Sequence, residues 1–173
     1  LLATKLPVWE VKTQADFERL LDAQLKKLGT DHIDFYLLHA LDGASWNKVV
    51  ELQGMELMQR ARADGRIGHI GFSFHGSLLD FKKIVDDFDW EFTQIQLNYL
   101  DEGYQAGIEG LRYAAARRVG TIVMEPLRGG ALAKAPPAVQ SIWARSGQPW
   151  SSAEWALRWL WSLPEVVTIL SGM

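Results

Sequence analysis

Short apolar runs alternate with one-sided helical stretches along the whole chain, and this alternation limits the fold more than any other property of the sequence. The runs start near residues 1, 33, 69, 92, 121 and 166, each separated from the next by room for a helix and its loops. Repeated βα units imply a parallel sheet, because parallel neighbours need a long crossover that a hairpin cannot supply. Such a sheet is either open and doubly wound or closed as a barrel. An open nucleotide-binding sheet usually announces itself with G-x-G-x-x-G after its first strand. That pattern is absent; Gly65, Gly68 and Gly71 stand three apart across a turn into a strand and read as turn geometry. Polar residues concentrate at strand C-terminal ends, so the expected architecture is α/β, an incomplete (β/α)8 barrel of the TIM type with about six βα units. Residues 1–173 read as a single, truncated barrel domain.

The elements follow from local signals. Strands are expected at Leu1 to Pro7, Ile33 to Leu41, His69 to His75, Phe92 to Leu100, Thr121 to Pro126 and Val166 to Met173. Thr13 precedes a helix whose inner face is Phe17, Leu20, Leu21, Leu25 and Leu28, and Gly29 stands where a helix end wants φ > 0. One helix is expected from about Trp46 to Ala63, with Val50, Leu57, Met58 and Ala61 inside. Ser77 caps a helix burying Phe81, Ile84, Val85 and Phe88, and another runs from about Ala106 to Val119. The proline-rich segment Ala135 to Trp150 reads as an irregular excursion, and Ser151 with Glu154 as a capping box for the last helix.

Charge gives no partner: a net charge of -3 spread along the chain suggests neither a nucleic-acid footprint nor a membrane-surface patch. No apolar run reaches the length of a membrane span, and the first residues read as a strand rather than a signal sequence. The chain therefore reads as soluble. Zero cysteines exclude disulfides and thiolate chemistry within it and fit a reducing, cytoplasmic setting.

Two residues break the apolar pattern in a suggestive way. Lys5 is a charged side chain inside the first strand, where a lysine needs a carboxylate partner or a chemical task. His39 holds a matching position near the end of the second strand. Taken singly, each has an ordinary reading, a strand-end lysine reaching solvent and a satisfied interior histidine. Together, at the ends of neighbouring parallel strands, they are candidates for one active site. Tyr36 stands three residues before His39, so the two-residue alternation points it to the opposite face. His32, His69 and His75 lack metal-ligand spacing, and no metal site is expected. The tryptophans Trp143, Trp150, Trp155, Trp159 and Trp161 read most simply as packing of an outer helix and its leading loop, with substrate enclosure by Trp143 or Trp150 as the sharper alternative.

The stretches LLATKLP, IDFYLLHALD, GRIGHIGFSFHG, FTQIQLNYL, TIVMEPLRGG and VVTILSGM resemble, in order and spacing, the third to eighth strands of the aldo-keto reductases. GFSFHG and MEPLRGG are nearest the branch that often carries an iron-sulfur extension, for which this chain holds no cysteine. The resemblance implies an NAD(P)H-dependent oxidoreductase that reduces an aldehyde or ketone to an alcohol. Lys5 and His39 match the family's catalytic lysine and histidine. In that family a tyrosine protonates the carbonyl oxygen, a buried aspartate holds the lysine that lowers the tyrosine's pKa, and the histidine orients the carbonyl or polarises the relay. The tyrosine and aspartate precede the family's third strand and are not in this sequence. Of the tyrosines that could replace the family's, Tyr36 points to the opposite face from His39, and Tyr99, at a strand end, is better placed but a weak substitute.

For the cofactor, NADP or NAD, Ser73 and Gln94 match the residues that hold the nicotinamide carboxamide. Phe74 replaces the usual asparagine, and Met124 stands where a stacking aromatic is often found. Leu127, Arg128 and Gly129 match the loop along the pyrophosphate, and Ser171 and Gly172 the start of the segment that clasps the adenosine side.

Six strands of eight leave two open edges, and each buried unsatisfied backbone group there costs about 1 to 3 kcal/mol. The expectation is a fragment whose edges are covered by another chain, a distorted closure or a dimer mate. The alternative to the reductase reading is accordingly an inactive fragment or partner subunit with at most residual dinucleotide binding.

Overall fold

The computed structural model describes residues 1–170. Its six parallel strands form one sheet whose spatial order equals the chain order: β1 (Ala3–Leu6), β2 (Ile33–Leu41), β3 (Ile67–Phe74), β4 (Phe92–Gln96), β5 (Gly120–Met124) and β6 (Val166–Ile169). The helices between them are α1 (Gln14–Leu28), α2 (Gly43–Glu51), α3 (Gly54–Ala63), α4 (Leu78–Asp87), α5 (Gly107–Ala116), α6 (Pro137–Ala144) and α7 (Ser152–Trp161). This is the expected α/β architecture, an incomplete (β/α)8 barrel.

The core lies between the sheet and the helices. Leu6, Tyr36, Leu38, Phe72, Ile95 and Val123 supply the strand side of it, and Phe17, Leu21, Trp46, Phe81, Ile84 and Leu160 the helix side. Phe72 touches Trp90 and Phe81 at ring separations of 4.7 and 5.9 Å, an aromatic centre that holds α4 to β3. Tyr36 is fully buried in this layer; its hydroxyl donates to Gln24 Oε1 at 2.7 Å, and Gln24 Nε2 donates to the Lys5 carbonyl at 2.7 Å. That relay ties α1 to both β1 and β2. Gly29 ends α1 with φ 67°, as expected.

Several expectations are corrected. The helix expected from Trp46 to Ala63 is two helices, broken where Gln53 takes φ 54°. The break turns the face: Trp46 and Val49 are buried in α2, while Val50 is 54% exposed. Gly54 opens α3 against the Phe17 ring, which stands 2.4 Å from where a Cβ would lie. Leu28, expected inside, is exposed in the last turn of α1. The fourth strand stops at Gln96 rather than Leu100, because Asn98 accepts the Leu100 and Asp101 amides and folds the chain into a turn.

The irregular excursion before the last helix contains α6. Pro137 sits in its first turn, where a missing N–H costs nothing, so the proline pair starts a helix rather than preventing one. Only half of the expected capping box forms at α7: Ser151 Oγ accepts the Glu154 amide at 3.2 Å, while the Glu154 carboxylate pairs with Arg158. Within the described residues the last strand ends at Ile169.

Candidate active site

Register decides which residues share the face away from the helices. Lys5 lies beside Leu37, Leu37 beside Gly71, and Gly71 beside Phe92. Two residues further along each strand the same face carries His39, Ser73 and Gln94, with Ser73 and Gln94 directly paired. Gln94 pairs with Ile122 and Gln96 with Met124, which brings Met124 onto the same face. Lys5, His39, Ser73, Gln94 and Met124 therefore project from five consecutive strands onto one concave wall, toward the strand C-terminal ends. Below them, Phe35 packs edge-on to Phe92 and stacks on His69, filling the wall toward the strand starts.

His39 is presented by an irregularity. The β2–β3 register shifts between Leu38 and Leu41, and Ala40 takes φ 55°. The displaced Ala40 amide finds Ser73 Oγ at 2.8 Å, so the bulge is stitched to the next strand by the serine for which the family resemblance implies a cofactor contact. Because that oxygen accepts, its own proton stays available to a bound group. The His39 ring lies 4.9 Å from Trp9, which stands in a 3-10 turn, Val8–Glu10, pinned by Lys48 Nζ donating to the Val8 carbonyl. Burial first, then the nearby charges of Lys5 and His75, hold the His39 pKa below the ordinary imidazole value. A cavity of about 350 Å³ opens here, lined by Trp9, His39, Ser45 and Lys48.

On the far side of the wall, Gln94 Nε2 donates to Met124 Sδ at 3.0 Å. Ser73 and Gln94 are both buried. Beyond β5 the loop turns sharply: Glu125, Arg128, Gly129 and Gly130 all have positive φ. Glu125 accepts the Gly129 amide at 2.8 Å, and the Arg128 guanidinium lies 3.4 Å from the Asp101 carboxylate. Nothing stands within 4 Å of a Cβ built on Gly129, so the glycine there serves the φ of 60° and leaves the backbone open to a ligand. Leu127 and Gly129 also line a cavity of about 650 Å³ that extends to Trp161 and β6. Ser171 and Gly172 lie outside the described residues.

Neither Tyr36 nor Tyr99 reaches this wall. Tyr36 faces the helices, and burial raises its pKa. Tyr99 meets the edge of Trp159 on α7 at a ring separation of 6.5 Å. Among the described residues no group of three metal-ligating side chains is placed to hold an ion. His32 bonds the Gly65 carbonyl, and His69 pairs with Glu91 at the opposite end of β3 from the candidate site. Trp143 stacks on Trp155 at 5.6 Å, and Trp150 packs on Trp155 and under Arg158, which is packing between α6 and α7.

Two neighbours of His39 escaped the sequence reading. His75 follows Ser73 by two residues, so the alternation already in use marked it as a mouth residue; it meets Gln105 at 3.3 Å. Trp9 had no comparable signal, since a residue in the turn after a strand has no fixed face.

A parallel wall with its candidate residues gathered at the strand C-terminal ends is where (β/α)-barrel proteins build their sites. The chain belongs to the aldo/keto reductase family, whose profile matches residues 1–173. Among solved structures it is similar to an aldo-keto reductase, AKR11C1, of Bacillus halodurans. With the holo form the TM-score is 0.78 at 22% identity, covering 100% of this chain and 61% of that one. With the apo form the TM-score is 0.78 at 20% identity, covering 99% of this chain and 60% of that one. The chain thus spans about three fifths of the length of these neighbours. No match is found among curated proteins. Among the described residues no helix is long and apolar enough to cross a membrane.

Proposed function

We propose that this chain carries the lysine, histidine and dinucleotide-facing part of a carbonyl-reducing site that acts on a small aldehyde or ketone with NADPH or NADH. The observation that carries the reading is the convergence of Lys5, His39, Ser73, Gln94 and Met124 on one wall from five adjacent strands. A reduced nicotinamide, when bound, supplies hydride to the carbonyl carbon. Lys5 places a positive charge at the mouth, where it stabilises negative charge developing on the carbonyl oxygen. His39, whose pKa is held below the ordinary imidazole value by burial first and then by Lys5, donates a hydrogen bond to that oxygen without adding a second full charge. Ser73 offers its hydroxyl proton to a carboxamide, and Gln94 turns from Met124 to do the same. Leu127, Arg128 and Gly129 receive the pyrophosphate. Ser171 and Gly172 continue the cofactor segment.

The competing reading is a chain that binds dinucleotide without turning over. It is favoured by one observation: neither Tyr36 nor Tyr99 reaches the wall to protonate an alkoxide. The two separate on mixing the purified chain with NADPH and a panel of aldehydes and following nicotinamide absorbance. Turnover abolished by Lys5→Met supports reduction, cofactor binding without turnover supports the inactive partner, and no binding at all rejects both.

A further inference from the structure

The loop after β5 owes its shape to a group on another loop. Asn98, fully buried at the exit of β4, is a bracket: its Oδ1 accepts the Leu100 and Asp101 amides at 3.1 Å, while its Nδ2 donates to Asp101 Oδ2 at 2.8 Å and lies 3.4 Å from the Glu125 carbonyl. The Asp101 turn and the exit of β5 are therefore tied to one interior amide. Asp101 in turn stands 3.4 Å from Arg128 Nε. The Asp101 side chain is 12% exposed and the Arg128 side chain 54%. An ordinary surface pair has two mobile partners and little net effect. Here one partner is immobilised from below, and the contact uses the inner nitrogen of the guanidinium. Among the described residues no hydrogen bond from the guanidinium occupies its outer nitrogens.

We infer that Asp101, locked by the buried amide of Asn98, is a positioning residue that holds Arg128 by its Nε edge and presents the outer fork to a dinucleotide phosphate. The inference rests on the placement of the pyrophosphate at Leu127, Arg128 and Gly129. A guanidinium fork matches phosphate oxygens through paired N–H donors, and its affinity depends on how much rotamer freedom remains to be lost on binding. Anchoring Nε removes that freedom in advance. The strained Arg128 backbone, φ 49°, followed by Gly129, φ 60°, fixes the root of the same side chain. Asp101 thus acts through Arg128 and touches no substrate.

The test is a double-mutant cycle on NADPH affinity, measured by fluorescence titration with Asp101→Ala, Asp101→Asn, Arg128→Met and the Asp101→Ala/Arg128→Met pair. Loss of one pre-ordered side chain corresponds to about two- to ten-fold in affinity. Asp101→Ala is expected to weaken NADPH binding by that factor, Asp101→Asn to recover part of it through its remaining acceptor oxygen, and the Asp101 change to have no further effect once Arg128 is gone. Equal weakening with and without Arg128, or tighter binding by Asp101→Ala, overturns the positioning role while leaving the phosphate site intact. Arg128→Met binding NADPH as the parent does removes the phosphate site itself, and the positioning role with it.

Discussion

Replacing Tyr36 by Phe tests the link between the helical layer and the strand that carries Lys5. The ring is fully buried and the change leaves its volume almost intact, so no cavity term enters. What is lost is the 2.7 Å bond from the hydroxyl to Gln24 Oε1, and with it the satisfaction of that half-buried carbonyl. Gln24 also donates to the Lys5 carbonyl at 2.7 Å, so a loosened amide weakens a second bond on β1, an edge strand of the sheet. A hydrogen bond lost with its partner left behind costs about 1 to 3 kcal/mol. For a chain of this size that lowers the melting temperature by roughly 2 to 4 °C per kcal/mol. Urea unfolding followed by circular dichroism reads the midpoint, which should fall while the slope stays unchanged. The companion change Gln24→Leu, made alone and together with Tyr36→Phe, should show that the two losses are not additive. A Tyr36→Phe protein as stable as the parent, or fully additive losses, would refute the relay.

Two further outcomes follow from the concave wall. Gly71→Ala places a Cβ 2.6 Å from the Phe92 ring, which is already packed edge-on to Phe35; the expected loss is about 1 to 3 kcal/mol by thermal unfolding, and Gly71→Ala with Phe92→Leu should recover part of it. His39, with its pKa depressed on folding, binds fewer protons in the folded than in the unfolded chain; stability should be full above about pH 6.5 and decline as pH falls toward the folded pKa. His39→Gln should flatten that part of the stability profile, and an NMR titration placing the His39 midpoint above the unfolded value would contradict the sign.

The layout of the sheet and the common face of Lys5 and His39 were legible because both depend on period and order alone. Alternation set Gln94 with Gln96 on one side and separated Tyr36 from His39, while Ser73 rested on the family resemblance alone. What escaped depends on backbone states that the residues present do not advertise. Gln53, Ala40 and Glu125 adopt positive φ with side chains that usually avoid it. Their reasons are tertiary: the seating of Gly54 on Phe17, the Ala40 amide on Ser73, and the Glu125 carbonyl beside the Asn98 amide. The α6 helix was hidden by reading a proline pair as a stop, when Pro137 occupies the turn that tolerates it.

Among the described residues every strand pairs with the strands next to it in the sequence, so no contact between these strands waits for a distant part of the chain. Each βα unit can dock as synthesis delivers it, and a growing edge is always the most recently made one. The candidate chemistry is distributed differently: it draws on the first strand and on the fifth alike. Structure accumulates unit by unit, while the composite pocket comes into being only when the last contributor is laid down, so ligand binding would report completion of assembly rather than its progress.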